Sequence, residues 1–141
     1  MDELKNGIGK IRECQNAIGI MSNEAEAVVR CACGAVEIRL LAGPRPTDRV
    51  ECCCPDCHGA LRYAHERHGG PPPPPHPTCD LIYFGNALEV ARGAEHVAFF
   101  RLKAGYPTAR LYAACCWTVL LGDHPGYRGR WVVAYGTAAC G

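Results

Sequence analysis

An all-β fold is predicted for this 141-residue chain by three observations. Past Leu81, short segments rich in β-branched and aromatic residues recur at close intervals. Clusters of Gly, Asn, Asp and Pro separate them, and the stretch from Val28 to Leu40 alternates with period two. Strands spaced in this way close into a sandwich, a barrel or a folded antiparallel sheet. The length is that of one domain, enough for one buried core.

In chain order, residues 1–26 read as an N-terminal extension and 27–141 as the β domain. Leu4, Ile8, Ile11 and Ile18 fall at helical spacing, so the extension is a short amphipathic helix, weakened by Gly7, Gly9 and Gly19, or a frayed tail. Asp2, Glu3 and Glu13, with no long apolar run, argue against a secretory leader, and no window reaches the roughly 18 apolar residues of a membrane span. A cytoplasmic, reducing setting is the expectation. Cys14 receives no role.

Val28–Arg30 and Ala35–Leu40 read as two strands joined at Cys31-Ala32-Cys33-Gly34, where Gly34 supplies a permissive φ at the bend. Two thiols at a hairpin are half of a metal site, or a pair of small buried hydrophobes. Ala42–Pro46 is a loop, and Arg49-Val50-Glu51 is a strand leading into Cys52-Cys53-Cys54-Pro55-Asp56-Cys57-His58. Four thiols and an imidazole in one short stretch exceed what packing needs. The Cys54-x-x-Cys57 spacing lets two thiolates reach one ion across a turn at Pro55-Asp56, and Cys52 adds a third. Thiolate donors select soft or borderline ions, zinc first among them.

The chain holds 11 Cys, so a disulfide framework has to be weighed. An odd count, clustering as C-x-C, CCC and CC, and the separation a disulfide needs all favour metal. A net charge of +1 from 15 basic and 14 acidic residues gives no case for nucleic acid or a membrane surface as partner.

Ala60–His68 reads as a two-turn helix with Leu61 and Ala64, or these and His65, inward, which makes His58, His65 and His68 candidate ligands or acid/base groups, His58 foremost. The Pro-rich loop 69–77 is a stiff polyproline II spacer or a proline-motif ligand for a partner. Strands follow at Leu81–Phe84, Ala87–Val90, His96–Leu102, Ala109–Tyr112, Thr118–Leu121 and Trp131–Tyr135. Between two of them lies Cys115-Cys116, placed to complete a four-ligand site with Cys31 and Cys33.

Three elements together carry a resemblance: Cys31-Ala32-Cys33-Gly34, then Cys52-Cys53-Cys54-Pro55-Asp56-Cys57, then Tyr112-Ala113-Ala114-Cys115-Cys116-Trp117-Thr118. Over roughly Val28 to Leu121 the chain resembles the family of glutathione-dependent formaldehyde-activating enzymes and centromere protein V. The likeness implies an Mss4-like fold of antiparallel sheets with zinc-bearing turns. It also implies a structural zinc on Cys31, Cys33 and Cys116, a catalytic zinc on Cys52, Cys54 and Cys57, and glutathione as co-substrate. The implied activity is a carbon–sulfur lyase acting on a small thiol–aldehyde adduct such as S-hydroxymethylglutathione.

This chain departs from the family pattern at several positions. Cys53 stands where the family usually has His, and His58 where it has Arg. Ala113 replaces the first Cys of the downstream turn, Trp117 replaces its Gly, and Cys115 is added beside Cys116; a divergent branch of the family is similar in sharing that pair. Cys115 or a water is then the fourth structural ligand, or the ion is missing. At the other site, either a position stays open for substrate, with His58 shuttling the proton, or Cys53 or His58 closes it. The closed case corresponds to a zinc-stabilised interaction module without activity. Oligomeric state is left open.

Overall fold

The computed structural model describes residues 18–20, 27–41, 48–75 and 78–136. They build a mainly β molecule of two antiparallel sheets and one helix, as the strand spacing predicts. Strands β1 (Ile18–Ile20), β2 (Ala27–Arg30), β3 (Glu37–Leu40) and β6 (Leu88–Arg92) form the smaller sheet in that order. The larger runs β4 (Asp48–Cys52), β5 (Cys79–Gly85), β10 (Trp131–Tyr135), β9 (Thr118–Asp123), β8 (Ala109–Ala113) and β7 (Val97–Phe100).

The main core lies between the sheets. Val29, Ile38 and Leu40 of the smaller sheet meet Phe84, Leu111, Leu120 and Ala134 of the larger one. Helix α1 (Pro55–His68) covers the opposite face of the larger sheet, burying Leu61 and Ala64 against Cys79, Leu81, Val119, Val133 and Tyr135. With both faces covered, β9 is buried from Thr118 to Gly122, which is why its sequence is a continuous apolar run rather than an alternation.

Two sequence expectations are corrected. Ile18 is not on a helix: Ile18–Ile20 is an edge strand whose backbone pairs with β2, and that ladder overrides a helical spacing already weakened by Gly19. The rest of the extension, with Cys14, lies outside the described residues. The helix is also longer than its apolar spacing indicates, beginning at Pro55 rather than Ala60. Pro55-Asp56 is therefore a helix start and not a turn: proline presets φ at a position that needs no donor, and Asp56 complements the positive end of the dipole.

At the other end, α1 closes with Gly69 N–H donating to His65 O and Gly70 N–H to Ala64 O, both at 3.0 Å. Gly70 passes so close to the β8–β9 turn that an added Cβ would stand 2.3 Å from the Trp117 carbonyl oxygen and 3.2 Å from that of Ala64. Both are backbone atoms and cannot swing aside. Gly70→Ala is expected to cost about 2 kcal/mol or more in urea unfolding of the full chain, with α1 partly released from the sheet. No helix among the described residues is long and apolar enough to cross a membrane.

Candidate metal centres

Two groups of thiols converge, each from segments that the fold brings together. Cys31 and Cys33 lie on the β2–β3 turn, whose bend needs Gly34 at φ 83°. Cys115 and Cys116 lie on the β8–β9 turn of the other sheet. All four sulfurs fall within 4.8 Å of one another. Individual separations are 3.7 Å for Cys31–Cys33, 3.8 Å for Cys31–Cys115, 3.4 Å for Cys33–Cys115 and 3.9 Å for Cys115–Cys116.

A tetrahedral ion with 2.3 Å bonds needs sulfurs about 3.8 Å apart, whereas a disulfide needs about 2.05 Å. The observed set fits the first. Cys115 thus stands among the four, in the place the sequence left open, and all nine described cysteines are free thiols. Backbone and hydroxyl donors support the sulfurs. Val36 N–H donates to Cys31 Sγ at 3.3 Å, and Thr118 Oγ1 lies 3.0 Å from Cys116 Sγ while accepting from Ala32 N–H at 2.9 Å. Hydrogen bonds from Cys31 and Thr118 hold Cys116 down at about 4; Cys31 is pushed up in exchange, and burial pushes Cys115 up to about 12.

The second group is Cys52, Cys54 and Cys57, again within 4.8 Å of one another, with Cys52 and Cys57 sulfurs 3.6 Å apart. Cys52 ends β4, Cys54 is the N-cap of α1, and Cys57 sits in its first turn. The extra first turn of the helix therefore places Cys57. The positive end of the helix dipole faces the thiols, and Cys54 N–H donates to Cys52 Sγ at 3.3 Å.

Among the described residues no fourth protein ligand joins this group. Cys53 is exposed and is not part of it. His58 has Nε2 3.1 Å from Pro74 O, which ties it to the polyproline segment. His65 Nδ1 is 2.7 Å from Gly70 O, and the His68 ring stacks on Trp117 at 3.8 Å, so neither is brought to a thiol group. Trp117 itself takes φ 55°, the left-handed backbone that a glycine meets without strain, and stacks on Tyr112 at 4.0 Å as well.

Arg110 is the residue that sequence reasoning missed. It is 2% exposed, reaching from β8 under the first turn of α1. Its Nε donates to Tyr135 Oη at 2.7 Å and Nη2 reaches Asp56 O at 3.5 Å, while Nη1 is buried without a partner. No carboxylate pairs with it among the described residues. Burial alone would lower its pKa, but Tyr135 and Cys57 more than offset this, leaving it raised. Cys57 lies beside it, and the anion matched to this cation is the set of thiolates that a bound metal would leave there. A divalent ion on three thiolates carries a net charge of about −1, which a single guanidinium neutralises. The available signal was a lone Arg on the face of a strand that also carries Tyr112.

Cys79 is the cross-strand neighbour of Cys52 and is buried. Burial pushes Cys57 up to about 12 and Cys79 up to about 11 from 9.0, with neighbouring thiols adding to both. The metal-free fold thus holds protons that the unfolded chain releases near pH 9. Their contribution to stability is complete below that pH and is lost as pH rises through 11 to 12. The urea midpoint of the metal-free chain is expected to fall over that range, and the fall to shrink when metal replaces the protons.

No protein-family model matches the chain, and no curated protein is found to match it.

Proposed function

We propose that this chain is a zinc protein in which Cys31, Cys33, Cys115 and Cys116 hold a structural ion and Cys52, Cys54 and Cys57 hold a second at an open site. Its activity is the making and breaking of adducts between a small thiol and an aldehyde, glutathione and formaldehyde being the pair its resemblance implies. The observation that supports this reading is a three-thiol group with neither Cys53 nor His58 in it. Structural zinc sites are closed by four protein ligands, while catalytic ones keep a place for substrate.

A zinc ion in that place supplies a position at which an incoming thiol is held deprotonated. The residues do the rest. Arg110 offsets the negative charge of the three thiolates, and the helix start keeps them in register. His58, with its Nε2 hydrogen donated to Pro74 O, presents Nδ1 as the ring nitrogen able to carry a proton. In adduct formation the thiol sulfur bonds to the carbonyl carbon, the C=O π pair moves to oxygen, and the proton lost by the thiol ends on that oxygen. Cleavage reverses each movement.

The test is metal content combined with exchange spectroscopy. Two zincs per chain are expected, and the loaded protein should speed exchange between formaldehyde and S-hydroxymethylglutathione in carbon NMR. Cys54→Ser should keep the fold and lose that acceleration by about 100-fold or more. A two-zinc protein that leaves the exchange rate at its uncatalysed value overturns the reading. The second reading, an interaction module, is favoured by the exposure of Pro72 and Pro75 on the loop that His58 anchors. One tightly held ion with no acceleration would support it.

A further inference from the structure

Past the start of α1, the face of the larger sheet that carries Cys52 continues as an open groove of about 400 Å³, lined by Asp48, Val50, Tyr83 and Trp131. The ladder pairs Cys52 with Cys79, Val50 with Leu81, Asp48 with Tyr83 and Gly85 with Trp131. Side chains alternate along strands, so Cys52, Val50 and Asp48 project from one face. At roughly 3.3 Å per residue, the groove starts about 7 Å from Cys52 and reaches about 13 Å. Tyr127 packs beside the groove. Its ring lies 5.7 Å from Tyr83 and 6.4 Å from Trp131, and burial and the Tyr83 hydroxyl push its phenol up.

The walls are apolar and aromatic, with Val50 37% exposed. One charge faces them. Among the described residues Asp48 Oδ1 accepts only from Arg49 N–H at 2.8 Å, while the Arg49 guanidinium is committed to Asp80 at 2.9 and 2.6 Å. No cation among the described residues neutralises Asp48.

The geometry points to a substrate subsite for a thiol with an extended apolar arm ending in an ammonium group. Its sulfur sits at Cys52, Cys54 and Cys57, its arm lies along Val50, Tyr83 and Trp131, and its ammonium meets Asp48. The aromatic faces favour the same cation. An anionic arm is repelled, which sets this substrate class apart from glutathione. The inference rests on the proposed open metal site, and its test separates the two.

The full chain is loaded with cobalt(II), whose visible bands respond to a new sulfur ligand, and titrated with 8-amino-1-octanethiol, 8-mercaptooctanoic acid and glutathione. The aminothiol is expected to bind at least about fivefold more tightly than either anionic thiol, a ratio that Asp48→Asn lowers to the part the aromatic rings supply. Equal affinities, or a ratio unmoved by Asp48→Asn, overturn the subsite while leaving the open metal site standing. Octylamine, which has no sulfur, is expected to shift the Trp131 indole N–H signal in NMR of the same protein, less so in Asp48→Asn. That shift with cobalt bands unmoved by every thiol would uphold the groove's choice of cation and overturn the open metal site. No shift from octylamine overturns the subsite.

Discussion

Cys31→Ser is expected to unfold the zinc-loaded chain, whereas Cys54→Ser leaves it folded. Cys31 is fully buried in the core between the sheets, in the same cluster as Ile38 and Leu120, and its sulfur neighbours Cys33 and Cys115. Serine there buries a hydroxyl among apolar side chains, shortens the reach to the ion and removes one of four ligands. Binding at a closed four-ligand site is coupled to folding and in zinc-finger peptides is worth about 10–16 kcal/mol, against about 5–15 kcal/mol for a whole domain. Losing even a third of it removes most of the net stability. Cys54 is exposed at a helix start, and its replacement should cost under about 1 kcal/mol. Far-ultraviolet circular dichroism and urea unfolding with excess zinc measure both. Equal destabilisation by the two variants would reverse the division of roles between the sites.

The second large effect depends on metal. Arg110→Met is expected to change the stability of the metal-free chain by no more than about 1 kcal/mol, because losing a buried guanidinium with an unpartnered Nη1 is offset by leaving the buried Tyr135 hydroxyl without its donor. In the loaded chain the same change removes the charge that balances three thiolates, and affinity at the three-thiol site should fall about 10–100-fold. Competition with a chromophoric chelator reads the affinity, and urea unfolding with and without metal reads the stability. A loss of stability in both states, with affinity unchanged, would make Arg110 a support for Tyr135 and α1 only.

Much of this architecture is legible in the sequence because its signals are local. The strands from Leu81 to Tyr135 announce themselves by β-branched and aromatic composition between turn residues. The grouping of Cys52, Cys54 and Cys57 follows from spacing alone. Bringing Cys115 and Cys116 to Cys31 and Cys33 needs more, since the turns belong to different sheets; what made it legible is that no other paired thiols were left to complete a tetrahedron. The start of α1 was not legible from apolar periodicity, because Pro55–Gly59 carries no buried apolar face and is helical through proline geometry and the dipole. Arg110 was missed for a related reason. A charged residue inside a strand reads as solvent-facing until one knows that a helix start covers it, and that depends on how the layers stack.

Thr118 carries a consequence of its own. Fully buried, it accepts a hydrogen bond from Ala32 N–H and so stitches the β2–β3 turn to the β8–β9 turn with no sulfur involved. The aperture between the four thiols is therefore set in advance rather than drawn together by its occupant. Such a cradle discriminates by ionic radius: a larger thiophilic cation such as cadmium has to break this stitch to be seated, and Thr118→Val would relax the preference for the smaller ion.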